Sequence, residues 1–188
     1  MESGKIYYIG YYDTEINGMK LLTQPSCVTK MNYIKDAIIE AGFDITIISV
    51  SENNMPNISY RHEECHDNYK VKYFFSIGRG SLFRNVISRL LSYVQLVSFL
   101  LFNINQDDRV LVYHNLPLSY IVLFICRIKK FRLYYEIEEI FSELRSYNKS
   151  KVQKELSLLN KAEGYIVVND YIASLCNIDK KNYMLRGI

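Results

Sequence analysis

From Lys5 to Val50 the chain spells a strand, a helix and a second strand in succession. Lys5 to Tyr11 (KIYYIGY) is dense in aromatic and β-branched residues, the composition of a strand. Tyr12 to Gln24 is polar and contains Gly18, and reads as a long loop. Pro25-Ser26 then opens a segment in which Val28, Met31, Ile34, Ala37, Ile38 and Ala41 fall at helical spacing. Ser26 is the expected N-cap and Gly42 the expected C′ glycine. Phe43 to Val50 (FDITIISV) is the next strand. Two strands joined through a helix must run parallel, and the crossover is right-handed. That one unit commits the chain to an α/β architecture.

The remainder continues the alternation. Ser51 to Asn68 is polar, contains Pro56 and reads as loop. Strands are expected at Val71–Ile77, Asp107–Tyr113, Phe131–Tyr135, Gly164–Val168 and Asn182–Leu185. Helices are expected from Ser81 to about Asn103, from Pro117 to about Lys129, over Ile137–Ser146 and Lys151–Ala162 with a break near Asn148, and from Asp170 to about Cys176. The expected fold is therefore a Rossmann-like three-layer sandwich around a mostly parallel sheet of about seven strands. With 188 residues and 49% hydrophobic composition, the chain reads as one domain over 1–188 with a sizeable core.

Composition narrows the partners. Lys and Arg number 23 against 20 Asp and Glu, a net charge of +3, too mild to indicate nucleic acid. Four cysteines stand far apart with no C-x-x-C pair, so neither a redox pair nor a zinc ribbon is expected. No signal-peptide pattern is visible ahead of the first strand, and none is expected. Reduced thiols and a cytoplasmic location follow as expectations.

Four motifs carry possible chemistry. Arg109 to Pro117 (RVLVYHNLP) is a buried strand that stops on His114 and Asn115, with Pro117 in the first turn of a helix. Open α/β sheets place ligands at this carboxyl edge, so His114 is the leading catalytic candidate. Tyr135-Glu136-Ile137-Glu138-Glu139 sets three carboxylates just past a strand end. Helix-dipole compensation explains them structurally; as binding groups, Glu136 and Glu138 would accept hydrogen bonds from sugar or polyol hydroxyls. Gly78-Arg79-Gly80-Ser81, between a strand and a helix, admits a phosphate on backbone amides, although position 83 is Phe83 where the dinucleotide fingerprint needs glycine. A plain turn is the preferred reading. His62-Glu63-Glu64-Cys65-His66 matches H-E-x-x-H literally, but its turn-forming flanks lack the helical period that a zinc protease needs, and a solvated loop is expected. No metal site is assigned.

One further stretch bears on partners. Val86 to Ile104 (VISRLLSYVQLVSFLLFNI) is nearly long enough to span a bilayer. Arg79, Arg84 and Arg89 give it a basic N-terminal part. It reads either as a helix packed on the sheet or as one lying on an anionic membrane surface. Ile121 to Lys130 (IVLFICRIKK) repeats the apolar-then-basic pattern.

Taken in order, these segments resemble the N-terminal domain of glycosyltransferases built from two Rossmann domains, of the family 4, or group 1, type. The resemblance rests on the first strand and its glycine-containing loop (Ile9-Gly10 to Gly18) and on Val112-Tyr113-His114 before a proline-led helix. It rests also on Tyr135-Glu136-Ile137-Glu138-Glu139 and on Asn160 to Asn169 (NKAEGYIVVN). Leu185-Arg186-Gly187-Ile188 is similar to the entry of the interdomain linker. The resemblance implies a domain that binds the acceptor, with a second domain, absent here, holding the nucleotide-sugar donor. It implies that Gly18 approaches the donor phosphates and that His114 faces the transferring sugar. Asn115, Glu136 and Glu138 would contact the acceptor, and no metal or cofactor is needed. It departs from the family in Asn17-Gly18-Met19, where a double glycine is common.

The expected function is accordingly the acceptor-binding half of a glycosyltransferase. It would act on a nucleotide-sugar and a polysaccharide or lipid-linked acceptor, and be inactive without its donor-binding domain or subunit. Peripheral contact with the inner face of the cytoplasmic membrane is expected with it. A non-catalytic α/β module that binds a nucleotide or a protein is the alternative, and a metalloprotease through His62 and His66 a distant third.

Overall fold

A computed structural model describes residues 5–14, 21–146, 148–176 and 181–184. The chain forms two compact units, Met1–Asn103 and Ile104–Ile188.

In the first unit, β1 (Ile6–Gly10), α1 (Pro25–Glu40) and β2 (Ile45–Ser49) are the expected strand–helix–strand run. β1 and β2 pair in parallel, Ile6 opposite Ile45 and Gly10 opposite Ser49. Gly42 follows α1 with φ +83, the left-handed conformation of a C′ glycine. The cap at the other end differs from expectation. Gln24, not Ser26, is the N-cap residue, and Ser26 lies inside the helix beside Pro25.

The segment 51–68 is not all loop. His62–Cys65 forms β3, antiparallel to β4 (Tyr69–Tyr73), which in turn runs parallel to β2. The order in this unit is β3-β4-β2-β1. β4 also begins earlier and ends earlier than expected: Val71 has Glu64 opposite it, and the ladder stops at Tyr73. α2 (Leu82–Asn103) closes the unit. Tyr8, Ile9, Ile47, Ile48, Val71, Leu96 and Leu100 are completely buried among these elements.

In the second unit, β5 (Arg109–Tyr113), α3 (Leu116–Lys129), β6 (Arg132–Ile137), α4 (Phe141–Ser146), α5 (Lys149–Leu159), β7 (Gly164–Val167), α6 (Asp170–Leu175) and β8 (Lys181–Met184) follow one another. The strands run parallel in the order β5-β6-β7-β8. A parallel sheet buried on both faces favours continuous apolar runs, and Val110, Val112, Leu133, Tyr135, Ile137 and Val167 are all buried. Two caps fix the helix boundaries. Asn148 Oδ1 accepts from Ser150 N at 3.0 Å and Asn169 Oδ1 from Ile172 N at 2.8 Å, as short polar side chains do at N-caps. The break near Asn148 is thus the start of α5.

Candidate functional site at the carboxyl edge

β5 delivers His114 one residue past its end, as its sequence suggests. The imidazole is buried, and its edge meets the rings of Tyr135 and Phe141 at centroid distances of 6.0 and 5.5 Å. Both ring nitrogens are engaged within the protein. Nδ1 lies 2.9 Å from Ser119 Oγ on α3, and Nε2 lies 2.7 Å from Glu155 Oε1 on α5. An ionised carboxylate only accepts, so Nε2 carries a proton.

Glu155 is the organiser of this region. Oε1 also accepts from Phe141 N at 2.9 Å and Oε2 from Ser142 N at 2.7 Å. One side chain therefore satisfies the first amides of α4, which a helix leaves without internal partners, and fixes the imidazole. Burial pushes the Glu155 carboxyl up. The hydrogen bonds from His114 and Ser142 outweigh it and hold the group below the usual carboxylate range.

Around this anchor stand the other edge residues. His114 N donates to the Glu136 carbonyl at 2.8 Å. The Glu136 side chain, next to the end of β6, is buried. Glu138 lies one residue beyond β6, half-buried, and Tyr113 Oη donates to its Oε2 at 2.8 Å. β6 ends at Ile137, so Glu136 lies within the strand and Glu138 beyond it. Asn115 is the N-cap residue of α3 and is half-buried, but its side chain makes no cap hydrogen bond. His114, Asn115, Glu136 and Glu138 are brought to one edge; Gly18 lies outside the described residues. Glu155 and Ser119 were not singled out from sequence, and Tyr113 was read only as part of the strand before His114. Glu155 had a signal: an acid three and four residues before Leu158 and Leu159, on the apolar side of α5.

The two other motifs resolve differently. Around Gly78 the amides are already taken. Gly78 N donates to Ser76 Oγ, Arg79 N to the Asn53 and Met55 carbonyls, and Gly80 N to Asn85 Oδ1. Three of the four amides of the motif are thus turned inward onto the protein's own oxygens, which suits the turn. His62 and His66 lie on an extended segment rather than a helix, which overturns both the loop expectation and the zinc-protease geometry. His62 stacks on Tyr73 and His66 on Tyr69, with Nε2 atoms 3.7 and 3.9 Å from the two oxygens of Glu64 between them. Among the described residues, no group of three or more His, Cys, Asp or Glu side chains is arranged to hold a metal ion.

No protein-family model and no curated protein matches the sequence. The architecture, however, is found in solved structures. A UDP-forming α,α-trehalose-phosphate synthase of Burkholderia xenovorans superposes with a TM-score of 0.53 at 10% identity, over 89% of this chain and 40% of that one. An α,α-trehalose 6-phosphate synthase of Burkholderia multivorans does so with a TM-score of 0.51 at 10% identity, over 89% and 41%. The fold is Rossmann-like α/β. This chain spans about two-fifths of the length of those synthases.

Proposed function

We propose that the chain is the acceptor-binding half of a glycosyltransferase. It would serve transfer from a nucleotide-sugar donor to a polysaccharide or lipid-linked acceptor, and require a donor-binding domain or subunit for turnover. The observation that carries the reading is the fold likeness to a part of two sugar-phosphate synthases, one of them UDP-forming, together with a carboxyl edge that gathers Tyr113, Asn115, Glu136 and Glu138. Glycosyl transfer needs a positioned acceptor hydroxyl and a stabilised diphosphate leaving group. Glu138, half-buried and already accepting one hydroxyl from Tyr113, suits the first task; Asn115 adds an amide at the start of α3. His114 acts as a positioning residue. With both nitrogens bonded and its ring buried, it works through Glu155 on the start of α4 rather than by touching the sugar.

The outer face of α2 supports membrane contact in the same proposal. Leu82, Val86, Leu90 and Val94 form an exposed stripe one turn apart, flanked by Phe83 and Ile87, and the helix contains no Asp or Glu. Arg84, held by the Ile77 and Pro56 carbonyls, keeps its charge near the N-terminal turn. The proposed site of action is the cytoplasmic face of the membrane.

The test is donor hydrolysis and sugar transfer by the chain alone and joined to a donor-binding domain. Activity is expected only in the joined form. Glu138→Gln should lower it roughly 10- to 100-fold, the worth of one charge-assisted hydrogen bond. A joined form that folds but shows no turnover would favour the non-catalytic binding module, a reading that the internally bonded His114 already suits.

A further inference from the structure

Between α3 and α5 the second unit carries a cleft of about 580 Å³. Its walls follow from helical periodicity. Tyr120, Phe124 and Arg127 recur one turn apart on α3; Ser150, Lys154, Ser157 and Lys161 recur along and just beyond α5. Two features set it apart from an ordinary seam between helices. Arg127, Lys154 and Lys161 line it, no carboxylate does, and none of the three makes an ion pair among the described residues. Beside these cations Tyr120, Phe124 and Ile128 stand exposed at 53%, 62% and 57%, spaced i, i+4, i+8 along α3 as one stripe.

We infer that this cleft binds the phosphate headgroup of an anionic phospholipid, with the α3 stripe resting in the interfacial region. Three unneutralised cations attract a phosphate, and guanidinium and ammonium groups are its usual partners. A free phosphate would leave the exposed aromatic and aliphatic stripe in water. A lipid engages both, since rings sit at the headgroup level and aliphatic side chains below it. The volume suits a headgroup and its first methylenes. Nucleic acid would also use cations and rings, but Ile128 offers no base-stacking face and the chain carries only +3. The inference goes beyond the transferase reading and does not depend on it.

The chain contains no tryptophan, so Phe124→Trp introduces a single local reporter at an exposed position. It is made together with Leu90→Gln and Val94→Gln, which weakens binding through α2. On vesicles of phosphatidylcholine with phosphatidylglycerol, the emission of the reporter should shift to the blue and be quenched by doxyl-labelled lipid. Pure phosphatidylcholine should give little response. Arg127→Gln, Lys154→Gln and Lys161→Gln together should weaken the response roughly a hundredfold, from the usual contribution of each cation near an anionic surface. An unchanged emission on anionic vesicles would overturn the inference. So would an equal, saturable response to glycerol phosphate, which would assign the site to a soluble phosphate, or to a single-stranded oligonucleotide at physiological salt. The readout is emission rather than turnover, so failure here leaves the transferase proposal standing.

Discussion

Glu155 makes a specific demand on stability. Replacing it by glutamine keeps the shape but turns one acceptor into an N–H₂ group facing donors from Phe141, Ser142 or His114. Losing charge-assisted bonds at a buried site costs about 2–3 kcal/mol, and Glu155→Gln should lower the urea midpoint accordingly without changing the slope. The pH dependence has a definite sign. A carboxyl held below its ordinary value stabilises the fold above that value, near pH 4.3 for glutamate, and the contribution is lost as pH falls through the lower folded value. Stability of the wild-type chain should therefore drop more steeply below about pH 4 than that of Glu155→Gln. Equilibrium unfolding across the acid range checks it. A flat difference between the two would mean that the carboxylate is not the group being titrated.

The glycines give a second contrast at this scale. Gly42 and Gly78 both have positive φ, +83 and +71, but a Cβ on Gly42 meets nothing within 4 Å. On Gly78 it would lie 2.2 Å from the Met55 carbonyl oxygen and 2.4 Å from that of Asn57. Gly42→Ala should cost only the left-handed conformation, about 1–2 kcal/mol. Gly78→Ala adds displacement of the Met55–Asn57 backbone and should cost clearly more. Thermal melts of the two variants rank them, and equal losses would contradict the close approach at Gly78.

At the scale of elements, α2 shows what periodicity reveals and what it hides. The run of apolar residues made the helix legible over nearly its full length, yet not which side faces inward. Ser88 and Ser92 are buried while Leu90 and Val94 are exposed. The reason lies in the backbone beneath. Ser92 Oγ donates to the Val50 carbonyl, Ser88 Oγ pairs with Ser76 Oγ, and Gln95 both donates to and accepts from the backbone of Phe75. Val50 and Phe75 offer peptide groups and Ser76 a hydroxyl just past β2 and β4, where the ladder has ended and buried polar atoms need partners. No sequence pattern announces such a demand, because it arises from chain that is distant in sequence. β3 was hidden for a related reason. His62, Glu63, Glu64 and Cys65 have no apolar alternation; the strand exists by pairing with β4, with Glu63 close to Lys72 at 3.1 Å and His62 stacked on Tyr73. At the candidate edge the polar residues were legible from their place at the carboxyl ends of β5 and β6. Their internal bonding was not, because Glu155 arrives from 41 positions beyond His114. The inverted face makes a test. Ser92→Leu removes a donor from a buried carbonyl and overfills the contact, and should destabilise by at least about 1–3 kcal/mol. Leu90→Gln should be neutral within about 0.5 kcal/mol. If the two variants swapped order, the orientation of α2 would be wrong.

At the scale of the whole molecule, surface and charge have to be considered together. Leu82, Phe83, Val86, Leu90 and Val94 are exposed at 86%, 76%, 57%, 57% and 60% on a single helix. A contiguous apolar patch of this kind is unusual on an isolated soluble chain. Net charge opposes association through repulsion, but +3 spread over 188 residues supplies little of it. Hydrophobic burial should therefore win when no amphiphile is present. The chain is expected to self-associate with rising concentration in plain buffer, and to become monodisperse in non-ionic detergent above its micellar concentration. Added salt should not disperse it, because screening weakens charge repulsion and leaves apolar attraction intact. Leu90→Gln with Val94→Gln should shift the buffer sample toward monomer while leaving its melting temperature within a few degrees. Sedimentation velocity in the three conditions checks this. Association that persists in detergent but dissolves in salt would point to charge pairing elsewhere on the surface, and would remove the main support for α2 as the membrane-facing element.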